Sequence, residues 1–146
     1  MSTHLLTINQ QLHLRRLKRL LLIEDNDINR MLMSDYLSYC GYHVQSLSNG
    51  TNVFANIKKF KPQLILLDLK LPDIDGYYIL EQIQQHPELS KIPVIVVSAF
   101  AFKADQERAM ALGASYYFVK PVNLTALIIK IEEELACHHP HINIHT

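Results

Sequence analysis

Residues 64–76 read LILLDLKLPDIDG. Four aliphatic residues, Leu64 to Leu67, run straight into the carboxylate of Asp68, and a turn-rich segment with Pro72, Asp73, Asp75 and Gly76 follows. An unbroken aliphatic run of this length, bounded by turn residues, is the pattern of a strand covered on both faces. LLLI at residues 20–23 and VIVV at 94–97 repeat it, and the more mixed runs Tyr42–Leu47 and Tyr116–Val119 bring the set to five. The mixed character of Tyr42–Leu47 places it nearer a sheet edge.

The segments between these runs carry helical spacing. Residues 27–40 set Ile28, Leu32 and Tyr36 four apart, and residues 124–135 set Leu124, Leu127, Ile128, Ile131 and Leu135 along one stripe. Segments 51–60, 76–86 and 103–112 are shorter and bounded by turn residues. Gly41 and Gly113 stand just past expected helix ends, where a left-handed residue is wanted. Pro62 and Pro93 come just before strands, and Pro87 just after a helix. Strand followed by helix, five times, predicts an α/β fold: a doubly wound parallel sheet with right-handed crossovers and helices on both faces. The pattern does not supply the strand order.

The 146 residues suit one domain with a sizeable core. Fourteen basic and fourteen acidic side chains cancel, which excludes a global field that would draw the chain onto nucleic acid or an anionic membrane. A chain 49% hydrophobic and 19% charged is not wholly disordered. Cys40 and Cys137 cannot build a disulfide scaffold and read as reduced thiols. The start is polar, without the apolar core of a secretory peptide. The most apolar window, residues 94–102, contains Ser98 and falls far short of the roughly 20 residues that span a bilayer. A soluble cytoplasmic domain is expected.

In open α/β sheets, ligands bind beyond the carboxyl ends of the strands. The first run stops at Glu24 and Asp25, the third at Asp68, the fourth at Ser98 and the fifth at Lys120. Each has a plainer reading: Asp25 or Asn26 as a helix N-cap, Ser98 as a turn residue, Lys120 as a solvated cation. Asp68 resists that reading, because Asp73 or Asp75 is better placed to cap the next helix. The joint placement at strand ends favours chemistry. Three carboxylates in one crevice repel each other and ask for a cation. Oxygen-only ligands in an incomplete cage suit Mg²⁺. With Ser98 and Lys120 left to bind an anion, the set reads as a phosphoryl-transfer site in which a carboxylate attacks.

The pieces LLLIEDNDINR, LILLDLKLPDIDG, IPVIVVSAFA and GASYYFVKPV together resemble the receiver domain of two-component response regulators, over about residues 18–137. The resemblance implies a flavodoxin-like (βα)5 sheet of order 2-1-3-4-5. It implies that Asp68 accepts a phosphoryl group from a phosphohistidine. Mg²⁺ would be held by Asp25 directly, by Glu24 through water, by Asp68 and by the Lys70 backbone carbonyl. Ser98 and Lys120 would bind phosphoryl oxygens, Tyr117 would be the aromatic that turns inward when the hydroxyl moves, and Lys120-Pro121 would be a cis peptide that helps aim the amine. The Glu-Asp acidic pair is a variant of the more usual Asp-Asp. Lys70 and Phe100, at the rim, would set the rate at which water removes the phosphoryl group, and slowly.

The same resemblance implies partners. A histidine kinase (hybrid kinases included) or a histidine phosphotransfer protein would dock a four-helix bundle beside the crevice on helix 28–40. A downstream protein would take the face formed by helix 103–112, strand 116–119 and helix 124–136, through which a homodimer could also form. A relay passing phosphate to a second histidine protein is the alternative within the class. Outside it stand an aspartyl-phosphate phosphohydrolase, which wants an acid where Lys70 is, a flavodoxin-like cofactor binder, which wants a small-residue phosphate loop where EDNDIN is, and an unphosphorylated receiver-like adaptor. A stand-alone receiver without a DNA-binding or membrane segment is expected. Residues 1–17 read as a polar, basic N-terminal extension and 138–146 as a frayed His-rich tail.

Overall fold

The computed structural model describes residues 7–10, 15 and 18–137. Five strands and five helices alternate: β1 (Arg19–Ile23), α1 (Asp27–Tyr39), β2 (His43–Leu47), α2 (Val53–Phe60), β3 (Leu64–Leu67), α3 (Gly76–Gln85), β4 (Val94–Ser98), α4 (Lys103–Ala111), β5 (Tyr116–Val119) and α5 (Leu124–Cys137). All strand pairs are parallel, and the order is β2-β1-β3-β4-β5. The sheet is therefore the doubly wound one expected, with the mixed strand β2 at an edge.

The aliphatic runs explain their own placement. Every residue of β3 and β4 is buried, and alternate side chains feed two separate cores. Leu21, Ile23, Ile65, Leu67, Val94 and Val96 pack with α2, α3 and Ala109 of α4 on one face. Leu20, Leu22, Leu64, Leu66, Ile95 and Val97 pack with Met33 and Leu37 of α1 and Leu127, Ile128 and Ile131 of α5 on the other. Gly41 and Gly113 take φ of 103° and 109°, the left-handed turns expected after α1 and α4.

Helix α1 spans the expected segment, but the residues whose spacing marks it are not its core face. The four-residue spacing of Ile28, Leu32 and Tyr36 does mark a helix, but Ile28 is 65% and Leu32 56% exposed. Its buried stripe is Met33 and Leu37, one position along. Both stripes have helical spacing, and the sheet selects the second. Asn26, not Asp25, caps this helix, its side chain accepting from the Asn29 N–H.

Arg15 reaches the C-terminal end of α1. Its guanidinium donates to the Cys40 carbonyl at 3.1 Å, pairs with Glu132 of α5 and lies 5.7 Å from the centre of the Tyr42 ring. The stretch 138–146 lies outside the described residues. No helix among the described residues is long and apolar enough to cross a membrane.

Candidate functional site

The sheet ladder itself assembles the site. Paired rungs end at Ile23–Leu67 and at Ser98–Val119, and one further bond at each position carries the register into the loops. Asp68 N–H donates to the Ile23 carbonyl at 3.0 Å, Glu24 N–H to Leu47 at 3.0 Å, and Lys120 N–H to Ser98 at 2.8 Å. Glu24, Asp68, Ser98 and Lys120 are thus neighbours because four adjacent parallel strands stop at one level. That is the crevice expected beyond carboxyl ends.

Glu24 is 1% exposed, Asp68 4% and Ser98 0%. The Lys120 Nζ bridges the two acids, 2.7 Å from Glu24 Oε1 and 2.9 Å from Asp68 Oδ2. The Asn26 N–H donates to Glu24 Oε2 at 3.0 Å and the Lys70 N–H to Asp68 Oδ1 at 3.2 Å. Burial holds the Glu24 carboxyl above its ordinary range, against the opposing pull of Lys120 and the Asn26 N–H. Burial alone would lower the Lys120 ammonium, but the hydrogen bonds it donates to Glu24 and Asp68 outweigh it and raise the group above its usual value. The ammonium stays charged at neutral pH.

One carboxylate oxygen from each of Glu24, Asp25 and Asp68 lies within 4.8 Å of the others, with Asp25 on the solvent side. Three carboxyl groups thus face one ammonium, which of the three touches only Glu24 and Asp68. The cluster's donors are oxygen only and open to water on one side, the set that a hard cation such as Mg²⁺ takes. The residues fit that ion.

On the other flank, Ser98 Oγ accepts from the Phe100 N–H at 3.1 Å, and the Tyr117 hydroxyl donates to the Phe100 carbonyl at 2.7 Å. Tyr117 and Phe100 both pack against the core on the α2–α3–α4 face. Burial raises the Tyr117 phenol, against an opposing hydrogen bond with Ser98. Hydroxyl, aromatic and the β4–α4 loop form one connected unit. Lys70 is exposed at the rim, and the Lys120–Pro121 peptide is cis.

Asp73, Gly76 and Arg30 support the site through contacts that the sequence does not announce. Asp75 caps α3 by accepting from the Tyr77 N–H, as expected of one of the two candidates. Asp73, the other, instead accepts from the Gly50 N–H at 2.9 Å and from the Thr51 hydroxyl, tying the loop after Asp68 to the loop after β2. Those two bonds lower its pKa. Gly76 lets α3 start against the backbone of residues 68–69, and its N–H donates to the Leu69 carbonyl at 3.0 Å. Arg30 donates to the Glu24 carbonyl and to Asp27. Of the three, only Gly76 leaves a sequence signal, a glycine immediately after a capping acid.

Comparison with known proteins identifies the family of this fold. A family model described as the response regulator receiver domain matches residues 20–132. The polar-differentiation response regulator DivK of Brucella anthropi is 34% identical over 118 residues, 81% of this chain and 96% of that protein. Its Brucella ovis counterpart is 33% identical over the same shares. Among solved structures, a CheY-like receiver domain protein from Methanospirillum hungatei superposes with a TM-score of 0.76 at 29% identity, covering 83% of this chain and 95% of that one. The receiver domain of a putative Luxo repressor protein from Vibrio parahaemolyticus gives 0.77 at 30% identity over 83% and 92%. With five strands in the expected order and the acids, hydroxyl and amine at their ends, the chain belongs to the response regulator receiver domain family.

Proposed function

We propose that Asp68 accepts a phosphoryl group from the phosphohistidine of a kinase or a histidine phosphotransfer protein, in a Mg²⁺-dependent reaction, and that the phosphorylated state changes partner binding. The observation that carries this reading is the convergence of three carboxylates within 4.8 Å, two of them on the Lys120 ammonium, beside the buried Ser98 hydroxyl. An Asp68 carboxylate oxygen attacks phosphorus, the P–N bond breaks, and its electron pair leaves on the donor imidazole; the product is an acyl phosphate. Glu24, Asp25, Asp68 and the Lys70 carbonyl would hold Mg²⁺, which neutralises charge on the transferring group. Lys120 is already in contact with Asp68 and would follow a phosphoryl oxygen. Ser98 would release the Phe100 N–H to donate to another, and Tyr117 would move with it. Incubation with phosphoramidate and Mg²⁺ should add one hydroxylamine-labile phosphoryl group by intact mass, and chelation should suppress it. No gain would overturn the reading.

The donor's surface is supported by exposure. Ile28, Met31 and Leu32 form an exposed apolar patch on α1. It adjoins a cavity of about 330 Å³ lined by Leu32, Met33, Lys120, Pro121, Val122 and Leu124, so apolar contact and reacting centre are continuous. Leu32→Asp should slow transfer from a phosphorylated histidine protein at least tenfold. The rate with phosphoramidate, a donor that needs no docking, should stay within twofold. Equal slowing with both donors would count against docking there. Exposed Phe102 at the α4 N-cap, with Met110, Tyr116 and Ile129 on α4, β5 and α5, supports a downstream contact or self-association on that side.

Rim residues set the lifetime. Phe100 has no group to orient an attacking water, and Lys70 can reach over the phosphoryl oxygens. The double variant Lys70→Asn, Phe100→Glu should shorten the phosphoryl half-life at least severalfold; an unchanged decay would remove both from that role. We take residues 18–137 as the receiver unit, with 1–17 as a basic extension and 138–146 as a His-rich tail, acting in the cytoplasm, where Cys40 and Cys137 remain thiols.

A further inference from the structure

We infer that Arg30 is a positioning residue that aims the Glu24-Asp25 acid pair at the cation, through the Glu24 main chain. The inference rests on the reading that this acid cluster takes Mg²⁺.

Arg30 is the fourth residue of α1, close to the positive end of the helix, where a cation is disfavoured. It gains no stability from that place, so its contacts have to account for it. Side chains on a helix lean towards its N-terminus. The guanidinium therefore reaches back over the first turn, and its Nη1 donates to the Glu24 carbonyl at 2.9 Å. Its Nη2 donates to Asp27 Oδ1 at 2.7 Å, which sets the plane of the fork. The side chain is 22% exposed and Asp27 86%, so Arg30 is the more covered member of the pair.

The carbonyl it holds lies at a critical place. Glu24 N–H is the last strand-type bond of β1, and Asn26 already caps α1. Only Glu24 and Asp25 lie between the end of β1 and that cap, and their peptide decides where both carboxylates point. Glu24 is fixed at its N–H by Leu47, at its side chain by Lys120 and Asn26, and at its carbonyl by Arg30. Asp25 is exposed and follows directly on the peptide whose carbonyl Arg30 holds. A planar fork gripping a carbonyl and a carboxylate together is something Lys cannot reproduce. Loss of a group that orients metal ligands commonly costs tenfold or more in affinity.

The sign of the effect tests the idea. As a mere nearby positive charge, Arg30 would oppose Mg²⁺, and its removal would tighten binding. As a positioning group, its removal weakens binding, and Lys does not rescue. Wild type, Arg30→Lys and Arg30→Ala would be titrated with Mg²⁺ alone at fixed ionic strength, following the Glu24, Asp25 and Asp68 amides by NMR. Each would also be melted in chelator. The expected result is about tenfold weaker Mg²⁺ binding in both variants. Tighter binding by Arg30→Ala, or wild-type affinity in Arg30→Lys, would overturn the inference. If Arg30→Ala does not fold, Arg30→Lys still decides. Wild type that binds no Mg²⁺ would instead sink the metal reading on which this rests.

Discussion

Asp68→Asn should take up no phosphoryl group from phosphoramidate under conditions where wild type gains one, and should melt higher than wild type without divalent cation. The first outcome follows from nucleophilicity: a neutral amide has no oxygen anion to attack phosphorus. The second follows from the balance of charge. Asp68 has two carboxylates within 4.8 Å and the Lys120 ammonium at 2.9 Å. At an effective dielectric near 20, each like-charge pair at that separation costs about 3–4 kcal/mol and the ion pair returns about 5–6. Asp25 is exposed, so its share is screened further, and these terms nearly cancel. What remains is desolvation of a carboxylate 4% exposed, which the amide avoids. Lys120 keeps Glu24 at 2.7 Å as partner. A gain of about 1 kcal/mol raises Tm by roughly 4 °C in a domain of this size. Mg²⁺ should reverse the order: at a hundred times Kd it stabilises wild type by about 2.7 kcal/mol, and the amide variant much less. A variant that still acquires an acid-stable, hydroxylamine-labile mass would move the acceptor to another side chain.

How much of this was legible in the chain depends on the range of the contacts. LLLI, LILL and VIVV mark strands because a sheet covered on both faces needs apolar residues at every position. Glu24, Asp25, Asp68, Ser98 and Lys120 stand out because each follows or ends such a run, and parallel strands deliver their ends to one side. The order β2-β1-β3-β4-β5 was not readable from periodicity, since it is a matter of which runs pair, and came only from the family resemblance. Helix α1 shows where periodicity stops: Ile28–Leu32–Tyr36 and Met33–Leu37 have the same spacing, and only the sheet beneath selects the second. Helix α4 buries little besides Ala109, so segment 103–112 carries almost no apolar stripe. Asp73, which grips a loop 23 residues earlier, shows no spacing that could announce its partner. The Arg30 fork depends on the turn between strand and helix, which is a detail of backbone direction.

Gly76→Ala should lower Tm by about 10 °C or more and slow phosphorylation of Asp68, whereas Gly50→Ala should cost far less. A Cβ at residue 76 would lie 2.4 Å from the Leu69 Cα, 2.7 Å from its carbonyl oxygen and 2.8 Å from the Asp68 oxygen. All three are main-chain atoms, held by Asp68 N–H to Ile23 on one side and by the α3 start on the other. No rotamer change relieves such a clash; either α3 retreats or the 68–69 peptide turns. Retreat breaks the Gly76 N–H bond to Leu69 and withdraws buried Tyr77, Ile79 and Leu80 from the core. Overpacking costs about 1–3 kcal/mol where side chains can yield, and a backbone collision belongs at or above the upper end. Turning the peptide rotates the carbonyl beside Asp68 and shifts the Lys70 N–H from Asp68 Oδ1, now 3.2 Å away. Phosphorylation should therefore fall even at temperatures where the variant remains folded. At Gly50 the added carbon meets Ile79 Cδ1 at 3.0 Å and Ile74 Cβ at 3.1 Å, side-chain atoms of which the first can swing aside. Thermal melts of the two variants, with phosphoramidate rates taken well below each Tm, separate the cases. Equal and small losses at both positions would mean that the junction between the Asp68 loop and α3 can open without disturbing the acceptor.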